Sequence, residues 1–189
     1  MGDCTFVMLR RPVIVGAAVV VVGVGAWLAF GFFGVQALFI DDEVDEAAPT
    51  FDPQPAAEAE GAAGQPADSV TTAPAAPATA FAGTFVDRSH PTSGRAVVLT
   101  DGSERRVLRF EDFRTDNGPD LNVYLSTAAP DGPAGAFDDD FVDLGDLKGN
   151  IGAQNYEIPA EVDLSRYRTV VVWCVRFSVA FGAAELTAA

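Results

Sequence analysis

The sequence predicts an all-β domain, a β-sandwich or partly open barrel of about eight short strands, preceded by one transmembrane helix and a disordered linker. Three observations carry this. A charge-free apolar block runs from Pro12 to Ile40. A stretch rich in Ala, Pro and acidic residues follows it. From Phe81 onward short β-type runs alternate with Gly, Pro, Asp and Asn breaks, and no long amphipathic pattern interrupts them.

The apolar block comes first. A bilayer core needs ~20 apolar residues in a helix, and residues 12–40 supply them with length to spare. Arg10 and Arg11 precede the block, and Asp41, Asp42, Glu43, Asp45 and Glu46 follow it. Basic flanks stay cytoplasmic, so residues 1–11 are expected inside and everything after residue 40 outside the cytoplasm. Val35-Gln36-Ala37 resembles a signal-peptidase site and offers a cleaved leader as the alternative. Signal h-regions are ~7–15 residues, and the length of this block favours an uncleaved anchor. Cys4 lies before the block, which excludes lipid attachment after cleavage.

Residues 41–80 are expected to form a disordered acidic Ala/Pro linker. They hold nine carboxylates and no basic residue. With few bulky apolar groups they bury too little surface to offset ordering the backbone. Like charge and proline should stretch the tract to a reach on the order of 40 Å, lifting the domain clear of the bilayer. The chain has a net charge of −15, which repels nucleic acid and excludes it as a partner.

Residues 81–187 carry the domain. Thr84-Phe85-Val86 and Arg95 to Thr100 read as strands, and Asp101-Gly102 is a hairpin-turn signal. Apolar and polar positions alternate through Val107-Leu108-Arg109-Phe110. After the Asn117-Gly118-Pro119-Asp120 turn, Leu121, Val123 and Leu125 share one face of a strand. Phe141 to Leu144 is a short run, and Tyr156-Glu157-Ile158 follows a glycine-rich loop. Asp163 should cap a single turn through Tyr167. The strongest strand is Thr169 to Phe177, whose unbroken Val170-Val171-Val172-Trp173-Cys174-Val175 implies burial on both faces. Ser178 to Leu186 closes the domain, and roughly 105 residues suffice for a core.

Chemistry is bounded by scarcity. One histidine, His90, excludes a blue-copper site, and too few N and S ligands remain for structural zinc. There is no C-x-x-C-H, so covalent c-type haem is excluded. Asp138-Asp139-Asp140 lacks the regular oxygen spacing of a calcium loop and reads as a solvated acidic loop. Gly149-x-x-Gly152 reads as a turn. Cys4 and Cys174 fall on opposite sides of the membrane, leaving Cys174 a lone thiol. Cys174 reads either as a small core hydrophobe or as a redox thiol or ligand. On its strand it shares a face with Val172 and Arg176, and the Arg176 charge would lower the thiol pKa. His90, in Ser89-His90-Pro91, reads either as a loop histidine or as a partner of Cys174, through shared ligation or as the base of a Cys–His pair. A thiol hydrolase on these two residues has no local signature.

A string of motifs adds to this. It runs Gly83-x-Phe85, His90-x-x-Ser93-Gly94, Leu108-x-Phe110-x-x-Phe113 and Asn117-Gly118-Pro119-Asp120-Leu121. Val123-Tyr124-Leu125-Ser126, Leu144-Gly145-x-Leu147-Lys148-Gly149 and Gly152-x-Gln154-x-Tyr156-x-Ile158-Pro159 follow. Trp173-Cys174 and Phe177-x-Val179-x-Phe181-Gly182-x-Ala184 end it. From about Phe81 to Leu186 this resembles the electron-transfer DM-thirteen domain family. The resemblance implies a β-rich extracytoplasmic module in which Cys174 matches the family's characteristic cysteine. It implies electron transfer through that cysteine, as a bare thiol or as a ligand to a prosthetic group such as haem. In the redox reading of the residues, His90 is a second cofactor-binding candidate, and Arg176 and the Asp120 loop shape the surroundings. Since the chain lacks the DOMON and cytochrome domains that accompany such modules in animals, a redox partner would be a separate protein. The alternative is a non-catalytic cell-envelope module, binding or structural, in which Cys174 only packs.

Overall fold

The computed structural model describes residues 16, 19–25, 27–28, 40–51 and 77–189. The expected cytoplasmic tail and more than half of the expected span lie outside the described residues, as do residues 52–76 of the linker. Among the described residues no helix is long and apolar enough to cross a membrane.

Among the described residues eleven strands form two sheets, and neither closes into a barrel. They are β1 (Glu43–Asp45), β2 (Ala78–Thr84), β3 (Val86–Asp87), β4 (Thr92–Thr100), β5 (Arg106–Thr115), β6 (Leu121–Ser126), β7 (Phe141–Asp146), β8 (Ile151–Ile158), β9 (Thr169–Cys174), β10 (Val179–Glu185) and β11 (Thr187–Ala188). One sheet has the order β1-β8-β5-β4-β2-β11 and the other β3-β10-β9-β6-β7. All pairings are antiparallel except β1 with β8.

The core lies between the sheets and follows the period-2 pattern. Ala96, Val98, Leu108 and Phe110 from one sheet meet Leu121, Val123, Leu125, Val170, Val172 and Cys174 from the other. Phe85, Phe110, Phe113 and Tyr156 contact one another edge-on or tilted, with ring centroids 4.9–5.4 Å apart. The central position of β9 explains its unbroken apolar run. Its odd face, Val171 and Trp173, is buried too, beneath Phe137 from the segment between β6 and β7. Burying both faces removes roughly twice the apolar surface of a one-sided strand, at ~25 cal/mol per Å².

The acidic tract departs from expectation at its start. Residues 41–51, expected in the disordered linker, lie against the domain. β1 adds as a parallel edge strand to β8, with Glu43, Val44 and Asp45 opposite Ile151, Gly152 and Ala153. Phe51 then covers Val97, Leu99 and Val107 on the outer face of the first sheet, and is itself 2% exposed. Composition argued for disorder because these residues bury little of their own. What holds them is a receiving surface distant in sequence. The buried Asn150 accepts from Asp42 N–H (2.7 Å) and donates to Asp41 (2.8 Å) and to Thr115 O (2.9 Å). Arg109 donates to the carbonyls of Glu46 and Ala47.

Glu46 gives this docking a pH dependence. Its carboxylate accepts from Asn155 N–H (2.6 Å) and from Lys148 Nζ (2.8 Å). Burial alone would raise its pKa, but the Lys148 and Asn155 hydrogen bonds and the Lys148 charge outweigh that and hold it below the ordinary 4.5. A depressed folded-state pKa means stabilisation that is complete above the unfolded value and is lost as pH falls through the folded one. Hydrogen-exchange protection of residues 42–46 should therefore fall below about pH 4.5. Glu46→Gln should cost about 1 kcal/mol at neutral pH and flatten that acid limb, because the pair is partly exposed. An unchanged acid limb in the variant would assign the pH dependence elsewhere.

Candidate functional site

Cys174 is the last residue of β9, and the chain turns through residues 175–178 into β10. Ser178, at φ 51°, takes the left-handed conformation that the reversal needs. The strand's alternation points the sulfur into the sandwich with Val170 and Val172, and Cys174 is 0% exposed. It is a free thiol. Its Sγ donates to Pro119 O at 3.1 Å. The thiol therefore lies at the end of the core, beneath the loop that joins β5 to β6, with the exposed turn on its other side.

That loop, Asp116 to Asp120, organises the site. Asp120 sits at φ 68°, a left-handed conformation that aspartate tolerates better than most residues, and its carbonyl accepts from Val175 N–H at 3.0 Å. Asn117 Oδ1 accepts from Gly118 N–H (2.8 Å), an Asx-type turn. Gly118 packs against the ring of Phe181. Leu147 N–H donates to Leu121 O at 2.7 Å and ties the glycine-rich loop to the same end.

His90 reaches this end from the segment before β4. Its Nδ1 bonds Asp116 Oδ2 at 2.9 Å, and its ring stacks on Phe181 with centroids 3.7 Å apart and planes 23° apart. The structure thus brings both predicted residues to one loop. It does not pair them: the imidazole bonds Asp116 and the thiol bonds Pro119 O. The Asp116 partner and the Phe181 stack were not foreseen, because both depend on how the β5–β6 loop crosses the end of the sandwich.

Burial pushes the Cys174 thiol up from its ordinary value. The backbone N–H groups of Phe177 and Arg176 and the Arg176 charge pull the other way, while Asp120 adds to the rise. The expected lowering by Arg176 is present in sign and outweighed in size. At neutral pH Cys174 is a protonated thiol, the less nucleophilic form.

Among the described residues no three His, Cys, Asp or Glu side chains are grouped to hold a metal ion. Haem does not fit the site as it stands. A macrocycle ligated by Cys174 needs an open, largely apolar cavity at the sulfur. The described cavities, of about 540, 430, 280 and 210 Å³, are lined by neither Cys174 nor His90. The sulfur faces core side chains and Pro119 O instead.

Neither a curated protein nor a solved structure matches the chain. A family model does: the one described as electron transfer DM13 matches residues 84–186, which begin at the end of β2 and close with β10. The matched segment takes in His90, the Asp116–Asp120 loop and Cys174 and covers more than half of the sequence, so the chain belongs to the electron transfer DM13 family.

Proposed function

We propose that this chain is a membrane-anchored, extracytoplasmic electron-transfer module whose working group is Cys174, kept closed at rest and exposed by local opening of the loop and turn around it. The charge-free block at residues 12–40, with arginines before it and carboxylates after it, supports the anchor and its orientation. The observation that carries the site is the position of the sulfur. It lies in no strand interior but at a strand end, held by one hydrogen bond to a loop and followed by an exposed turn. Opening that end does not require the sheets to part. The chemistry is thiol–disulfide exchange with a separate envelope protein. Cys174 loses its proton to solvent, its thiolate attacks one sulfur of the partner's disulfide, a Cys174–partner mixed disulfide forms as the partner's S–S bond breaks, and the partner's other sulfur is released as a thiolate. The step ends at that mixed disulfide, and a second thiol, from the partner or another envelope protein, attacks it to release Cys174 again as a thiol. His90 steadies the loop through Asp116 and Phe181 and touches no reactant.

The second reading is a non-catalytic envelope module with Cys174 as packing, and the complete burial of that residue favours it. Urea dependence separates the two. In the full-length Cys4→Ser chain, exchange of Cys174 with the aromatic disulfide dithionitrobenzoate should proceed at least ~10 times faster than global unfolding and be nearly flat at low urea, as local opening requires. It should rise only when the domain unfolds. A rate that climbs with the full unfolding slope from zero urea, and never exceeds the unfolding rate, would overturn the redox reading and leave the scaffold.

A further inference from the structure

The apolar block ends on the domain itself. Asn117 Nδ2 donates to Ile40 O at 2.7 Å and to Asp42 Oδ2 at 2.9 Å. β1 begins three residues after Ile40 and is bonded along its length. No slack chain separates the end of the block from the domain, so the expected lift of the domain off the bilayer has no segment to produce it. The length of residues 52–76 is spent between Phe51 and β2, in a connection with both ends on the domain.

The residue that binds Ile40 also fixes which end of the sandwich faces the block. Asn117 lies in the loop that covers Cys174, and three residues on, Asp120 O holds Val175 N–H. A chain of this length spans no more than about 15 Å. The turn it reaches carries two large exposed apolar side chains, Val175 at 42% and Phe177 at 53% exposure. Ile40, 57% exposed, lies at the same end. The remaining exposed large apolar side chains of the described domain, Val86 and Phe141, stand on edge strands of the second sheet. An apolar cluster beside the point where a spanning segment leaves the bilayer fits the lipid interface.

We propose that the domain rests on the outer bilayer surface with its Cys174 end down, Val175 and Phe177 entering the interface of a zwitterionic phospholipid leaflet. This rests on the anchor reading given above. The acidity of the domain disfavours anionic headgroups, so the surface it rests on is zwitterionic. It follows that the loop over Cys174 opens toward the membrane side rather than toward bulk solvent, so a partner would reach the thiol at the bilayer surface.

The test uses the full-length Cys4→Ser chain in phosphatidylcholine nanodiscs, which leave both sides of the bilayer accessible. With Cys174→Ala added, single cysteines are placed at Ser178→Cys, in the exposed turn, and Ser103→Cys, in the turn between β4 and β5 at the other end of β5. A charged maleimide should modify the residue-178 thiol about tenfold more slowly than the residue-103 thiol, as lipid contact excludes the reagent. Adding Phe177→Asp should remove that protection. Equal rates in a chain that co-elutes with the nanodiscs overturn the orientation alone. A chain that does not co-elute overturns the anchor reading and the orientation with it.

Discussion

Replacing Gln154 with alanine should destabilise the domain by about 3–5 kcal/mol, among the largest losses available to a single side chain here. Gln154 is 0% exposed and lies on β8. Its Oε1 accepts from Lys148 N–H (3.1 Å), from Gly149 N–H (3.3 Å) and from Tyr156 Oη–H (2.6 Å), and its Nε2 donates to Gly149 O (2.8 Å). Removing it strands two buried groups of Gly149 and leaves the Tyr156 hydroxyl without its acceptor. Each orphaned buried group costs ~1–3 kcal/mol. Burial has already pushed the Tyr156 phenol far above its ordinary value, a sign of how poorly this pocket supports charge. The effect should spread beyond β8, because the loop that Gln154 stabilises presents Asn150 to the N-terminal strand. Urea denaturation should show a lower midpoint with an unchanged slope, and residues 42–46 should exchange faster at the same time. A loss under 1 kcal/mol would mean that water enters and replaces the amide.

Gln154 also marks where sequence reasoning stops. It was visible only as one letter of a motif string. The patterns that were legible are those written by one strand's own surroundings. Leu121, Val123 and Leu125 alternate because β6 has a core face, and Val170 to Cys174 is unbroken because β9 is covered twice. Asp101-Gly102 marks its hairpin because Gly102, at φ 88°, supplies the backbone conformation that the turn needs. A buried polar side chain has no such signature. Its burial is tolerable only if particular carbonyls and amides arrive from elsewhere, and the partners of Asn150 include a residue 108 positions away. The same limit hid β1. Three residues of an acidic tract carry no strand signal, since their affinity for the domain resides in β8 and its loop.

The candidate site divides along the same line. The face of Cys174 was readable, because strand alternation sets it against Val172 and away from Trp173. Its hydrogen-bond partner, Pro119, is 55 residues away and was not. His90 was singled out for being the one histidine, and geometry then gave it to Asp116 and Phe181. The sign of the Arg176 effect on the thiol was readable from a spacing of two. Its size was not, because desolvation depends on everything packed around the sulfur.

Gly152→Val should detach β1 while leaving the sandwich folded. Gly152 sits at φ 101°, a region that a β-branched residue occupies only under strain of ~1–3 kcal/mol. A β-carbon there would also collide with the backbone carbonyl of Val44. Gly149 makes the same close approach to Asp42 O, which is why the pair Gly149-x-x-Gly152, read from sequence as a turn, serves instead as the seat of a strand. Two ways of relieving the collision compete. Moving β8 would break its pairing with β5, which spans Arg106 to Arg114. Releasing β1 forfeits a three-residue ladder and the Asn150 and Glu46 bonds. The second is cheaper, so the strain should be discharged at the edge. With about 3 kcal/mol at stake, exchange of residues 42–46 should accelerate roughly 100-fold while Val170 to Cys174 keep their protection. Loss of protection in β9 as well would show that β1 is part of the cooperative core. Unchanged protection in β1 would show that it is not seated on Gly152. Detachment should also free the domain from Ile40, since Asn117 alone would then hold the end of the apolar block. Gly152→Val combined with Ser178→Cys should therefore lose the maleimide protection expected of the docked domain, which links the seat of a three-residue strand to the side from which Cys174 is approached.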